Sequence, residues 1–165
     1  MVKEVKIIIA IVLIGVAAFV AFNYFSDEKK IMRRLDGLSG FISKEEGEPA
    51  LTMAQKMKGV GSVFSETCLF EFDGRNISRN FRSDEITSYT TAARIKFSNL
   101  SLKFYDITVT VKDGNMANVS LTAIASGMTS GGEIFDETHE IEFELVKVDN
   151  EWFLRRIRAI EVLKK

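Results

Sequence analysis

The sequence predicts an α+β fold: an N-terminal transmembrane helix followed by a cone-shaped domain of three helices packed on a curved antiparallel sheet. Three observations predict it. Residues 100–162 alternate apolar and polar side chains over lengths that strands sustain. Residues 27–97 carry three apolar stripes at helical spacing. Residues 7–22 are apolar without a break or a charge. The expected division is an anchor over 1–26 and an α+β domain over 27–165.

The alternation gives four strands in a meander. In the first, Tyr105, Ile107, Val109 and Val111 share one face, and Asp106, Thr108 and Thr110 the other. In the second, Ala117, Val119, Leu121, Ala123 and Ala125 oppose Asn118, Ser120 and Thr122. In the third, His139, Ile141, Phe143 and Leu145 oppose Glu140, Glu142 and Glu144. The fourth begins at Trp152, with Arg156 and Arg158 in phase with Trp152 and Leu154, and Arg155 in phase with Phe153 and Ile157. Asp113-Gly114 and Asp149-Asn150 supply two-residue turns, which need residues that tolerate positive φ. One face of such a sheet is buried, and the upstream helices are the elements available to cover it.

The first of these helices starts at Asp27, with Ser26 or Asp27 as cap, and buries Ile31, Leu35, Leu38 and Ile42. Glu45-Glu46-Gly47 ends it, and Pro49 opens a second helix with the stripe Met53, Met57, Val60 and Phe64. Residues 67–73 and 76–82 form a short hairpin around Gly74. Ser83 caps a third helix whose buried side is Ile86, Tyr89, Ala93 and Phe97.

At 1.5 Å per residue the run 7–22, with its continuation to 25, spans roughly 24–28 Å, slightly short of a hydrocarbon core of about 30 Å. Lys6 and Tyr24 stand where they would reach the two interfaces. A cleaved signal peptide is the rival reading, with Lys3 and Lys6 as its basic segment, but the small residues near Ala17 and Ala21 make a poor cleavage site. The layout of short tail, single span and domain is that of a signal anchor, which places the domain outside the cytoplasm. The plain count of Lys29, Lys30, Arg33 and Arg34 after the span points the other way.

Net charge is −1 with both signs interspersed, which argues against nucleic acid as the main partner, since phosphate binding needs a basic surface. One His and one Cys exclude a His/Cys zinc centre. Cys68, in phase with Phe70 and Phe72, reads as a buried small hydrophobe. No residue pattern calls for a cofactor.

Four stretches carry a resemblance: Ser83-Asp84-Glu85-Ile86, 111–119 around Asp113-Gly114, 142–147, and Asp149-Asn150-Glu151-Trp152-Phe153-Leu154. With the order of elements over 27–163 they resemble the nuclear-transport-factor-2-like superfamily, also called cystatin-like or SnoaL-like. The resemblance implies a bent sheet wrapped around helices into a cone. In such domains the cone is a catalytic pocket, as in ketosteroid isomerase, scytalone dehydratase and polyketide cyclases, or the domain binds a ligand or a partner. A span followed by such a domain also resembles the inner-membrane assembly component of type IV secretion systems, which implies membrane-complex proteins as partners. Sheet-face dimers are common in the superfamily, and Thr108, Thr110 and Thr122 offer an uncharged face for one.

The superfamily's enzymes work by acid–base catalysis from a few polar groups in an apolar cone. His139 is the candidate here, in phase with Ile141 and Phe143, with Glu137 beside it. Tyr89 and Tyr105 are candidates to donate hydrogen bonds into the same space. No Asp–His dyad stands at the dehydratase or cyclase spacing, and Glu140, Glu142 and Glu144 diverge along a strand instead of converging on a metal. The sequence therefore favours a membrane-anchored binding or assembly module, with a SnoaL-like isomerase, dehydratase or cyclase as the alternative.

Overall fold

The computed structural model describes residues 11–16, 18–19, 26–75 and 77–160. Its elements are α1 Asp27–Ile42, α2 Ala50–Val63, β1 Phe64–Phe72, a 3-10 turn Asp73–Arg75, β2 Ile77–Arg82, α3 Ser83–Ile95, β3 Phe97–Lys112, β4 Met116–Thr129, β5 Ile134–Val148 and β6 Glu151–Ile160. Residues 11–16 and 18–19 are helical and exposed. Among the described residues no helix is long and apolar enough to cross a membrane. Most of the expected anchor lies outside the described residues.

The four long strands pair as the alternation predicts, and both turns carry positive φ at each central residue: 50° and 72° at Asp113 and Gly114, 48° and 66° at Asp149 and Asn150. The sheet is larger than a meander and is not wholly antiparallel. It has six strands in the order β2-β1-β6-β5-β4-β3, and β1 runs parallel to β6, with Leu69 beside Arg156 and Phe72 beside Ala159. That pairing joins segments more than 80 residues apart. Periodicity within each segment carries no trace of it.

The helices cover one face of the sheet. Ile31, Leu35 and Leu38 of α1, Met57, Val60 and Val63 of α2, and Ile86 of α3 meet Val119, Leu121, Phe143, Leu145, Trp152 and Leu154, each at most 7% exposed. Burying each of the larger of these side chains contributes about 1.5–3 kcal/mol. Ser26 caps α1 by accepting from the Lys29 amide at 3.4 Å. α1 stops at Ile42, earlier than the Glu45-Glu46-Gly47 expected, and Pro49 occupies the cap position of α2.

Three expectations are corrected by backbone detail. First, β3 holds a bulge at Asp106, whose φ is +53°: Tyr105 pairs with Thr122 and Thr108 with Ser120, so one residue is extra. The bulge flips the phase. Phe104, not Tyr105, joins Val109 on the covered face, and Tyr105 is 46% exposed on the outer one. Second, β6 carries an extra residue at Arg155, because Glu144 pairs with Arg156 but Leu145 with Leu154. Trp152 and Leu154 point inward, Ile157 packs on the core, and Arg156 and Arg158 reach carboxylates outside it. Third, Ser83 is the first residue of α3. Arg82 holds the cap position, with its amide donating to Glu85, and the Ser83 hydroxyl donates to Gly61 O at 2.8 Å. The buried side of α3 is Ile86 and Arg94, while Tyr89 is 58% exposed.

Candidate functional site

The covered face of the sheet is where a cone would hold a ligand. It is occupied by Trp152, Leu154, Leu145, Phe143, Leu121 and Val119, and Phe104 stands edge-on to Phe143 at 6.0 Å between centroids. Only one polar residue, Arg94, is buried outright among the described residues.

His139 stays on this face, one step beyond Glu140, which makes the last β5–β6 pair with Ile160. Its Nε2 lies 3.4 Å from a Glu137 carboxylate oxygen, and its ring stands edge-on to Phe72 at 6.2 Å. The two side chains are 41% and 54% exposed, at the rim. Of the four candidates, these two come together. Tyr105 is on the opposite face of the sheet, and the Tyr89 ring packs edge-on against Phe81 at 5.6 Å. Cys68 is fully buried, and burial pushes its thiol up to about 12, which removes it as a nucleophile.

An ionic cluster that the sequence reading missed sits where the α1–α2 loop meets the end of α3. Arg94 Nη2 donates to both Glu48 carboxylate oxygens at 2.7 and 3.0 Å and to Ser43 O at 2.9 Å, and Arg94 Nε donates to Ile42 O at 3.0 Å. Lys56 Nζ donates to Glu48 at 2.6 Å and to Ser43 O at 2.8 Å. The Arg94 and Glu48 side chains are 1% and 3% exposed. Burial raises the Glu48 carboxyl, but the hydrogen bonds from Lys56 and Arg94 outweigh it and leave the group below its ordinary range. Both Glu48 oxygens are engaged, and at 3% exposure the carboxylate is closed off from a substrate. One signal was available: Arg94 follows Ile86 by eight residues, two helical turns, and so shares its buried face.

At the start of α1, Asp27 accepts from Trp152 Nε1 at 3.1 Å and from Lys147 Nζ at 2.8 Å, tying the first turn of α1 to the β5–β6 turn. The Lys147 hydrogen bond, more than burial opposes it, holds the Asp27 carboxyl below its usual value. Beside this tie a groove of about 580 Å³ runs between α1, the end of α2 and the β5–β6 turn. Lys30, Arg33 and Arg34 line it together with Gly37, Phe41, Val63, Trp152 and the turn 149–151. Arg34 pairs with Glu151 at 3.1 Å, and Lys30 donates to Asn150 Oδ1 at 3.0 Å.

On the outer face the charges of neighbouring strands interleave. Arg156 pairs with Glu71, Arg158 with Asp73 and Glu142, and Arg155 with Glu144. Thr122 donates to Glu140 at 3.2 Å. The glutamates of β5 thus answer arginines and a threonine. Among the described residues no group of three His, Cys, Asp or Glu could hold a metal ion.

No protein-family model matches the chain, and no curated protein does. Solved structures do. A candidate aromatic ring hydroxylase from Novosphingobium aromaticivorans superposes with a TM-score of 0.66 at 17% identity, over 84% of this chain and 90% of its own. A candidate scytalone dehydratase from the same organism gives 0.64 at 16%, over 83% and 85%. An uncharacterised protein with a cystatin-like fold from Caulobacter vibrioides gives 0.59 at 12%, over 82% and 89%. The fold is nuclear-transport-factor-2-like. At these identities the likeness speaks for the fold and not for the chemistry.

Proposed function

We propose that this chain is a membrane-anchored, non-catalytic binding or assembly module, with its nuclear-transport-factor-2-like domain on the extracytoplasmic side. The observation that carries the non-catalytic part is the occupied cone. Where the superfamily's enzymes keep an apolar space with converging polar groups, this chain has Trp152, Leu145, Leu154, Phe143 and Leu121, each at most 4% exposed. The anchor rests on the charge-free run 7–22 in the sequence. Its partners are the bilayer through residues 7–25, a second copy of the chain through the outer sheet face around Thr108, Thr110 and Thr122, and proteins of a membrane complex.

The test is fractionation of the full chain. It should stay in the membrane pellet after high-salt and alkaline washing. Release by alkali, or a mature form beginning after about Ala21, would overturn the anchor.

One observation favours the alternative, a SnoaL-like acid–base enzyme: His139 and Glu137 lie 3.4 Å apart on the covered face, and one structural neighbour is a candidate scytalone dehydratase. Under the module reading His139→Gln leaves folding and all ligand binding unchanged. Saturable binding of a small cyclic ketone that His139→Gln abolishes, with melting unaltered, would make the enzyme the better reading.

A further inference from the structure

We propose that the outer face of β3, β4 and β5 seats a second copy of this chain about a two-fold axis that runs along β4, with Lys103 of each copy lying between Asp136 and Glu140 of the other. The inference rests on the sheet-face association proposed above. It deepens that reading by fixing the axis and the residues that choose the partner.

The first support is the distribution of charge. β4 is 14 residues long and none of them is charged. The strands on either side of it differ in sign. The outer face of β3 carries Lys103 and Lys112, with Asp106 in the bulge as the only acid of that strand. The outer face of β5 carries acids alone: Asp136, Glu140, Glu142 and Glu144. Arg158 answers Glu142, and Arg155 answers Glu144. Among the described residues Glu140 meets only the Thr122 hydroxyl, and Lys103, Lys112 and Asp136 are in no ion pair. β4 keeps the basic and acidic strands about 10 Å apart, so each sign lacks its opposite within one copy.

The second support is the register. Three rows cross the face: Tyr105–Thr122–Glu140, Lys103–Ile124–Thr138 and Ser101–Ser126–Asp136. Turning a second copy over about β4 lays β3 on β5 and returns each row to itself. Lys103 then faces Thr138 of the second copy, with Glu140 and Asp136 one step of about 7 Å to either side. The contact occurs twice, once on each side of the axis. Asp106 falls opposite the Glu142–Arg158 pair, where it meets a guanidinium as well as a carboxylate. Sheets packed face to face keep their strands within about 30° of one another, which suits an axis along the middle strand.

The third support is exposed apolar surface. Tyr105, Met128 and Ile134 are 46%, 42% and 86% exposed, and all three are in phase with this face. Three strands about 4.8 Å apart and about 14 residues long offer about 650 Å² per copy. That is below the roughly 800 Å² per partner of a standard interface, so the pair is a weak one whose partner choice depends on charge.

The full chain in detergent micelles would be labelled in two colours and followed by energy transfer, with sedimentation reporting size. The wild type should associate at micromolar concentration and less in about 0.5 M salt. Lys103→Glu and Asp136→Lys/Glu140→Lys should each weaken self-association about tenfold or more, because each sets like charges face to face. The three positions are exposed, so melting should stay as in wild type. Mixing the two variants should restore the wild-type Kd, since both contacts of the mixed pair again join opposite charges. Should the lysine double variant fail to fold, Asp136→Asn/Glu140→Gln takes its place, with weaker association and a lost salt dependence as the expected result.

A variant that associates as the wild type does would overturn the proposal, as would a mixture that pairs no better than its parts. A wild type that pairs but ignores the charge changes loses this inference alone. A wild type that stays monomeric loses the sheet-face association and this inference with it.

Discussion

The molecule contains two sets of carboxylate–guanidinium pairs that look alike by distance and differ in everything else. Glu48–Arg94 and Glu71–Arg156 have closest contacts of 2.7 and 2.5 Å. The first pair is 1–3% exposed and the second 21–41%. In water two such charges gain about 1 kcal/mol, and salt screens much of that. Out of water each ion has lost its hydration, so each depends on its protein partners for compensation. Glu48 and Arg94 have most of those partners in two backbone carbonyls and Lys56, while Arg94 Nη1 is buried without a hydrogen bond. The outer pairs retain solvent as an alternative. The buried cluster is thus a fastening between the α1–α2 loop and α3, while the outer ladder sets the surface of the sheet.

The largest effect should come from breaking the fastening. Arg94→Ala leaves Glu48 buried with Lys56 alone, and should cost about 3–5 kcal/mol in chemical denaturation. Glu48→Met/Arg94→Met removes both charges and should recover most of that loss. If the double substitution is as damaging as the single, the loop needs the charges themselves and not just their mutual neutralisation. The tie at the start of α1 is intermediate, with Lys147 and Asp27 22% and 27% exposed. Asp27→Ala should cost about 1.5–3 kcal/mol, the range for hydrogen bonds to a charged group.

Acid should expose the same ranking. Glu48 and Asp27 both have folded pKa values below their unfolded ones. Their contribution is therefore present above the unfolded range and is lost as pH falls through the folded values. A melting series from about pH 6 downwards should begin to decline near pH 4–5, where unfolded carboxylates titrate. In Glu48→Gln and Asp27→Asn the slope of that decline should be shallower. The smallest effect belongs to the outer ladder: Arg156→Gln should change stability by less than about 1 kcal/mol, and less still in high salt. A loss comparable to Arg94→Ala would show that exposure is not what separates the two sets.

Local signals account for what was legible beforehand. Alternation over Met116–Thr129 and Ile134–Val148 gave the strands and their buried faces, and the paired turn residues gave the registers. Two kinds of fact were hidden. A single inserted residue, Asp106 in β3 or Arg155 in β6, reverses every later side chain, and no property of the residue itself announces it. Contacts between distant segments were hidden as well, as with β1 beside β6 and Arg94 against Glu48. The His139–Glu137 proximity was readable because i and i+2 share a strand face. The groove was not, since it is assembled from α1, α2 and a turn more than 80 residues further on.

Lys44 shows what one loop residue can do for a whole sheet. Its backbone makes a two-bond bridge to Leu100, with Lys44 N donating to Leu100 O at 2.7 Å and Leu100 N to Lys44 O at 2.9 Å. Its ammonium reaches over to the carbonyls of Arg94 and Phe97 at 3.2 and 2.5 Å, at the negative end of α3. β3 is an outermost strand of 16 residues, and a long open margin of that kind is a template for another chain to add to. The bridge occupies that margin near its start, and the bulge at Asp106 bends it further along. The free border is thereby interrupted near its start and bent near its middle, so the stretches left for another chain to extend are short: 107–112 at this border and β2 at the other.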